Sequence, residues 1–421
     1  MTTAYDAEPS LSLGPNYRKV WVSAAASNLA DGIFWIALPL IAVTLTTSPA
    51  LVAGVAIAAD LPWIVFVLFA GAIADRVDRR LALRNVQLLR LLVLLLLAGT
   101  AVSGTLSLPL LYVAAFVLGI GETFYDTAGM SIMPSLVPRE LLSKANSRLY
   151  AVEMAMNELL GPLLGGLLVA IAIPVALAGS AVGYVFAAIG LTLVVGRFKP
   201  QPASGASSMV GDIRAGLGFL WHTPVLRTMA TMVAGFSLAD SAVFAVLVLY
   251  AVAPGPMGLD EVGFGVLMAS FAVGGLLGSV LVERFERRMG RANVLFLAVI
   301  AGALVMLIPL FTAEPLPVMV GLFLLGVLVM AWNVITVSLR QRITPDPLLG
   351  RVNAAYRFFG YGAAPIGALL GGLIAQLLGV RAVFLFAALI MLSLLWFCRT
   401  LTDEALDQAE VKALGSSGAT A

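Results

Sequence analysis

The sequence predicts an all-α integral membrane protein, with twelve transmembrane helices arranged as two six-helix repeats around a central cavity. Three observations carry that expectation. Of the 421 residues 61% are hydrophobic and 11% charged, the mean hydropathy is +1.01, and apolar runs of about 20 residues, enough to cross a bilayer, recur from end to end. Lysine and arginine gather in alternate loops. An ordered series of short matches relates the two halves at a nearly constant offset.

Turn signals such as TTSPA, SGTLSLP, APGPMG and TAEPLP separate the runs. They place spans at 20–45, 50–74, 83–103, 108–130, 143–170, 173–196, 225–252, 261–282, 292–312, 316–339, 350–378 and 380–398. Hydrocarbon offers the backbone no hydrogen-bond partner, so each span is helical, and abundant glycine serves close helix packing. The first run follows Arg18 and Lys19 without a small-residue cleavage site and reads as an uncleaved span. The 25 basic and 23 acidic residues lie mostly in short clusters and do not provide the surface that a soluble chain of this length needs.

The basic clusters include Arg18 and Lys19, Arg76 to Arg84, Arg139 to Arg148, Arg284 to Arg291, and Arg399 with Lys412, while the opposite loops hold Arg381. The positive-inside rule puts the clusters and both termini in the cytoplasm, which requires an even number of spans. The expected division is a cytoplasmic tail (1–19), a six-helix bundle (20–196), a cytoplasmic linker (197–224) with one short surface helix, a second six-helix bundle (225–400) and a cytoplasmic tail (401–421). The halves repeat one another. Asp31 recurs as Asp240 at an offset of 209, DRVDRR at Asp75 as ERFERR at Glu283 at 208, Asn146 as Asn353 at 207, and LLGGL at Leu163 as Leu369 at 206. Two such halves are the plan of many secondary transporters, with a substrate site near mid-membrane between them.

Between spans two and three the chain reads Gly71, Asp75, Arg76, Asp78, Arg79, Arg80, and span five carries GPLLGG (Gly161, Pro162, Gly165, Gly166). From about Tyr17 to Thr400 these residues resemble the major facilitator superfamily. The first set is similar to its G-x-x-x-D-R-x-G-R-R loop, with Asp78 in place of glycine, and the DRxDRR form looks like the branch of drug and siderophore exporters similar to the enterobactin exporter. The second is similar to the antiporter motif, with Asn157 and Arg148 near the places of two missing glycines. The resemblance implies the major facilitator fold and an exporter. It also implies an arginine in span four, near Ala115, where this chain has no basic residue.

With no G-x-x-x-x-G-K-[ST] loop, energy has to come from a gradient or from another subunit. One proton moving down roughly 150 mV releases about 3.5 kcal/mol, enough for a concentration ratio of a few hundred. Intramembrane carboxylates each cost about 2.5–3.5 kcal/mol on insertion scales. Seven survive here: Asp31, Asp60, Glu122, Asp126, Glu153, Glu158 and Asp240. Asp31 has Asn28 and Trp35 on its own face and serves either coupling or packing; Asp240 repeats it. Glu122 and Asp126, four apart, repel one another when both are ionised, which suits proton uptake and release, although a wet vestibule would leave both charged. Asn333 repeats Asp126 without a titrating group. Glu153 and Glu158, five apart in an α-helix, point to different faces; Glu158 serves coupling, packing or gating. Asp60 serves coupling or a kink at Pro62. Arg90 and Arg357 are expected to snorkel to the surface.

The function expected is proton-coupled export of small lipophilic or cationic compounds by alternating access, in a bacterial cytoplasmic membrane. Asn28, Trp35, Asn157 and Asn333 are cavity candidates. Asp75, Arg76, Glu283 and Arg284 are expected to latch the halves. The alternatives are a non-transporting membrane scaffold or sensor, a subunit of a larger complex, or an importer of the same fold. The chain is not expected to be an enzyme. One histidine, His222, and one cysteine, Cys398, argue against a Cys/His metal site. No cofactor and no nucleic-acid partner are expected, and the expected state is a monomer in the lipid bilayer.

Overall fold

The computed structural model describes residues 13–74, 77–196, 198 and 209–418. Among them, twelve helices are long and apolar enough to cross a membrane. In the first half these are α1 (Gly14–Leu45), α2 (Pro49–Ala74), α3 (Arg79–Val102), α4 (Leu108–Ile132), then α5 (Leu142–Glu153) and α6 (Gly161–Ile171) joined into one span, and α7 (Ile173–Thr192). A short helix α8 (Met209–His222) leads into α9 (Pro224–Ala251), α10 (Glu261–Met289), α11 (Arg291–Phe311), α12 (Pro315–Ile343), α13 (Asp346–Leu378) and α14 (Val380–Cys398), and the chain ends in α15 (Asp403–Gly418). Twelve crossings return the chain to the side it started from, called the terminal side below.

The sequence repeat is also a packing repeat. In the first half α1 packs on α6 and α7, α2 on α4, and α3 on α7; in the second, α9 packs on α13 and α14, α10 on α12, and α11 on α14. Across the halves, α2 meets α13 and α6 meets α10. LLGGL makes the same contacts twice. Gly165 lies against Ile33 of α1 and Gly371 against Ala242 of α9, the residue 209 positions on from Ile33. Gly166 lies against the Glu261 and Gly265 backbone of α10, and Gly372 against Ala50 and Ala53 of α2. A side chain at Gly372 would begin 3.2 Å from the Ala50 Cα. These glycines let backbones touch where lipid supplies no hydrophobic drive for association. They close the halves on the side opposite the termini, where Ser48 Oγ also lies 2.9 Å from Gln376 Oε1. Towards mid-membrane the halves meet through large side chains, Trp63 stacked on Tyr361 at 4.7 Å and the Tyr150 hydroxyl 3.9 Å from the Met330 sulfur.

Span five departs from the expectation. Met154–Leu160 is π-helical, and the wider turn returns a residue to the same face after four to five positions rather than after 3.6. The angle between Glu153 and Glu158 around the helix is therefore smaller than the α-helical period gives, and Glu158 lies within electrostatic range of Glu153.

The C-terminal segment, expected only as a tail, folds as α15. Leu401 and Leu406 are buried, Asp403 accepts a hydrogen bond from the Ala292 N–H at 3.0 Å, and Arg291 pairs with Asp407 and Glu410. Arg342 of α12 lies 3.6 Å from the same Glu410. Acids at 403, 407 and 410 share one helical face, which meets the arginines and the N-terminal end of α11. The linker helix expected at the surface is α8; it packs on α13, with Gly216 against the Arg351 backbone and Trp221 stacked on Phe359 at 6.0 Å.

Candidate functional site

In the first half, polarity concentrates on one buried ion pair. Ser27 and Asp31 lie one turn apart on α1, and Gln87 and Arg90 one turn apart on α3, so the two helices present matching polar ledges. Arg90 Nη1 donates to both Asp31 oxygens at 3.1 and 3.2 Å, the Tyr184 hydroxyl donates to Asp31 Oδ1 at 2.5 Å, and Gln87 Nε2 donates to Ser27 Oγ at 2.8 Å. Arg90 is 1% exposed and Asp31 9%. The guanidinium lies over the rings of Tyr125 and Tyr184 at 5.6 and 5.4 Å, and Gly121 of α4 leaves room for its stem. The expectation that Arg90 snorkels is thus corrected. It sits 11 residues into α3, about 17 Å by the helical rise, beyond the reach of its side chain, and it finds a carboxylate instead. Glu122 and Asp126 of α4 also act electrostatically on Arg90. Span four carries no guanidinium of its own, and that of Arg90 stands beside it on α3.

A central cavity of about 450 Å³ lies between the halves. Its acidic lining is Asp60, Glu122, Glu158 and Asp240, and among the described residues no lysine or arginine lines it. Trp35, Phe244, Phe264 and Phe271 supply aromatic walls, and Asn157 an amide. Of the expected site residues, Trp35, Glu122, Asn157, Glu158 and Asp240 therefore converge. Asp31 faces α3 instead, and Asn28 donates back to the Ala24 carbonyl of its own helix at 2.8 Å. Asp126 interacts electrostatically with Glu153 of α5 and with Arg357 of α13 across the halves. Asn333 lines a second cavity, of about 380 Å³, inside the second half, where Asp240 and Phe271 are shared with the first.

The charged loop after α2 works as a double helix cap. Asp78 accepts from the Arg80 and Leu81 N–H groups at 3.0 and 3.3 Å, capping α3, and from the Phe198 N–H at 3.1 Å. Arg80 donates from Nε and Nη2 to the Leu191 and Thr192 carbonyls, at 3.0 and 2.7 Å, at the end of α7. Each charge meets the helix end that its sign complements. The aspartate that replaces glycine thus has a structural role. Asp78→Ala is expected to lower stability by about 1 kcal/mol, read as an earlier midpoint in an SDS unfolding titration, with helix content unchanged. Gly71 lies within α2 and Arg79 opens α3. Asp75 and Arg76 lie outside the described residues. Glu283 and Arg284 are exposed and, among the described residues, form no ion pair. In the antiporter-like stretch, Gly161 and Gly165 pack on α1, while Pro162 and Gly166 pack on α10 of the other half.

The comparisons with known proteins agree with this fold. The chain is similar to the multidrug efflux pump Tap of Mycolicibacterium fortuitum, 29% identical over 391 residues covering 88% of this chain and 92% of the relative. It is 26% identical over 391 residues to the enterobactin exporter EntS of Escherichia coli O1:K1 / APEC, covering 88% of each. Among solved structures, a point variant of the nucleoside transporter NupG superposes with a TM-score of 0.74 at 12% identity, covering 92% of this chain and 99% of that one. A bacterial homologue of the iron transporter ferroportin, in an inward-facing state, gives 0.69 at 18% identity, covering 90% and 98%. The family model described as transmembrane secretion effector matches residues 13–416. The chain is therefore a multi-pass membrane transporter and belongs to the transmembrane secretion effector family of the major facilitator superfamily.

Proposed function

We propose that this chain exports small lipophilic or cationic compounds in exchange for protons, by rocking its two six-helix halves about the central cavity. The observation that carries the reading is the cavity lining: among the described residues, four carboxylates, no basic residue and four aromatic rings. Excess negative charge in a low-dielectric site is costly and is relieved either by protons or by a bound cation. Proton and substrate then compete for the same charge, which is the condition for antiport. Aromatic walls favour a cation that is also apolar. Glu122 is the pivot of this reading, because it lines the cavity and also lies in the field of Arg90. The exporter names of the two relatives support the direction of transport.

In this reading the termini are cytoplasmic, as the arginine clusters require, the membrane is the bacterial cytoplasmic membrane, and the working unit is a monomer. The side closed by Gly166 and Gly372 is then external, and the described arrangement is closed to the outside. Asp75 and Arg76 with Glu283 and Arg284 would latch the cytoplasmic ends in the opposite state.

The test uses protein reconstituted with its terminal side outward. An acid-inside pH gradient should drive ethidium, a permanent cation that cannot follow the gradient passively, into the lumen, and nigericin should collapse the accumulation. Glu122→Gln and Asp126→Asn should each lose gradient-driven accumulation at least tenfold. Accumulation that ignores the gradient in the wild type and both variants would contradict the proposal.

A further inference from the structure

The two halves share the intramembrane aspartate but not the residue that neutralises it. Asp31 recurs as Asp240 at an offset of 209, and Arg90, its partner, stands 208 positions before Ala298. In the first half the guanidinium fills the space beside the carboxylate. In the second half Ala298 and Asp240 both line the cavity of about 380 Å³ that the missing side chain leaves open. Phe236 and Trp332 form a ring pair in its wall, with centroids 5.0 Å apart.

The cavity's other end is basic. Arg340 is 8% exposed, its Nε donates to Asn353 Oδ1 at 2.6 Å, and its guanidinium lies 4.0 Å over the Tyr356 ring. Arg340 Nη1 and the Tyr356 hydroxyl are buried beside one another, with Thr336 and Trp332 close to the hydroxyl, and neither atom makes a well-formed hydrogen bond within the described residues. Buried polar groups are nearly always paired, and a guanidinium N–H left over in a cavity wall offers a donor to an acceptor that arrives with a ligand. Arg357 lines the same cavity and lies near the Tyr361 ring. Asp240 stands 16 residues into α9 from the terminal side, and Arg340 three residues before the end of α12. The helical rise separates their backbones by roughly 20 Å along the bundle, a span shortened by the reach of both side chains.

We propose that this second-half cavity binds an elongated aromatic zwitterion. Its ammonium sits at Asp240, in the place that Arg90 takes in the first half. Its rings lie against Phe236 and Trp332, and its carboxylate accepts from Arg340 Nη1 and the Tyr356 hydroxyl. The central cavity, acidic without a basic end, selects for cations; this one selects for charge of both signs at a fixed separation. The inference rests on the export reading in treating the ligand as cargo, and Asp240 and Phe271, shared by the two cavities, are the passage between them.

The test is equilibrium binding to the full chain in nanodiscs. The probe is norfloxacin, a fluorescent aromatic with a piperazinium at one end and a carboxylate at the other. N-acetylnorfloxacin, which lacks the cation, is the comparison. Wild-type protein should bind norfloxacin at least tenfold more tightly than its N-acetyl form, and Asp240→Asn should bind the two equally. Arg340→Gln should weaken norfloxacin at least tenfold. Ala298→Arg should abolish binding by supplying an internal cation, and Ala298→Leu should weaken it at least fivefold by volume alone, so the result does not depend on one variant folding. No binding by the wild type, no preference over the N-acetyl form, or wild-type binding by either Ala298 variant overturns the proposal. Binding is read without transport, so failure here leaves the export reading to its own pH-gradient assay.

Discussion

Replacing Arg90 with methionine is expected to destabilise the protein by about 3–5 kcal/mol, the usual cost of stranding one member of a buried ion pair. The loss comes from Asp31, left 9% exposed with only hydroxyl partners, Tyr184 at 2.5 Å and Ser27 at 3.4 Å. Removing both charges is a different experiment. Arg90→Met combined with Asp31→Asn should recover most of the stability, because neither variant side chain carries a charge that must be desolvated. Unfolding midpoints of the two single variants and the double variant give the coupling energy directly. A double variant no more stable than Arg90→Met alone would show that Arg90 acts through packing on Tyr125, Tyr184 and Gly121 rather than through Asp31.

The second large effect is on conformation. Gly166→Leu and Gly372→Leu each place a branched side chain where backbones of opposite halves touch, and a packed contact of this kind has no space to absorb it. The halves would then be unable to close on the side opposite the termini, and transport should fall at least a hundredfold while the protein remains folded. Spin labels or fluorophores at Ser48 and Gln376, 2.9 Å apart at their side-chain tips in the closed arrangement, should report a widened distance in both variants. An unchanged distance with transport intact would remove these glycines from the gate.

What the sequence made legible follows from the solvent. A bilayer forces every crossing segment into a helix, so composition and turn signals alone lead to twelve spans, and α8 follows from its own amphipathic stretch. Duplication made the contacts of Gly166 and Gly372 readable as a pair once one of them was known. Tertiary pairing left a fainter trace. Arg90 and Asp31 are 59 residues apart, and the only sequence signal is that Gln87 with Arg90 and Ser27 with Asp31 have the spacing of single helical turns. The π-helical turn was hidden for another reason. The α-helical period turns Glu153 and Glu158 to different faces, and no residue in MAMNELL announces a wider one. The α15 helix was legible in principle, because Asp403, Asp407 and Glu410 share a face and Leu406 faces inward.

In the proposed exchange, protons and a cationic substrate compensate the same carboxylate charge around Asp60, Glu122, Glu158 and Asp240. The most direct measurement is proton release on binding. Purified protein in a weakly buffered solution near neutral pH is mixed with saturating ethidium, and a pH-indicating dye counts the protons displaced. Wild-type protein should release protons in proportion to ethidium bound, and Glu122→Gln should release measurably fewer for the same occupancy. Ethidium binding with no proton released from the wild type would contradict the exchange.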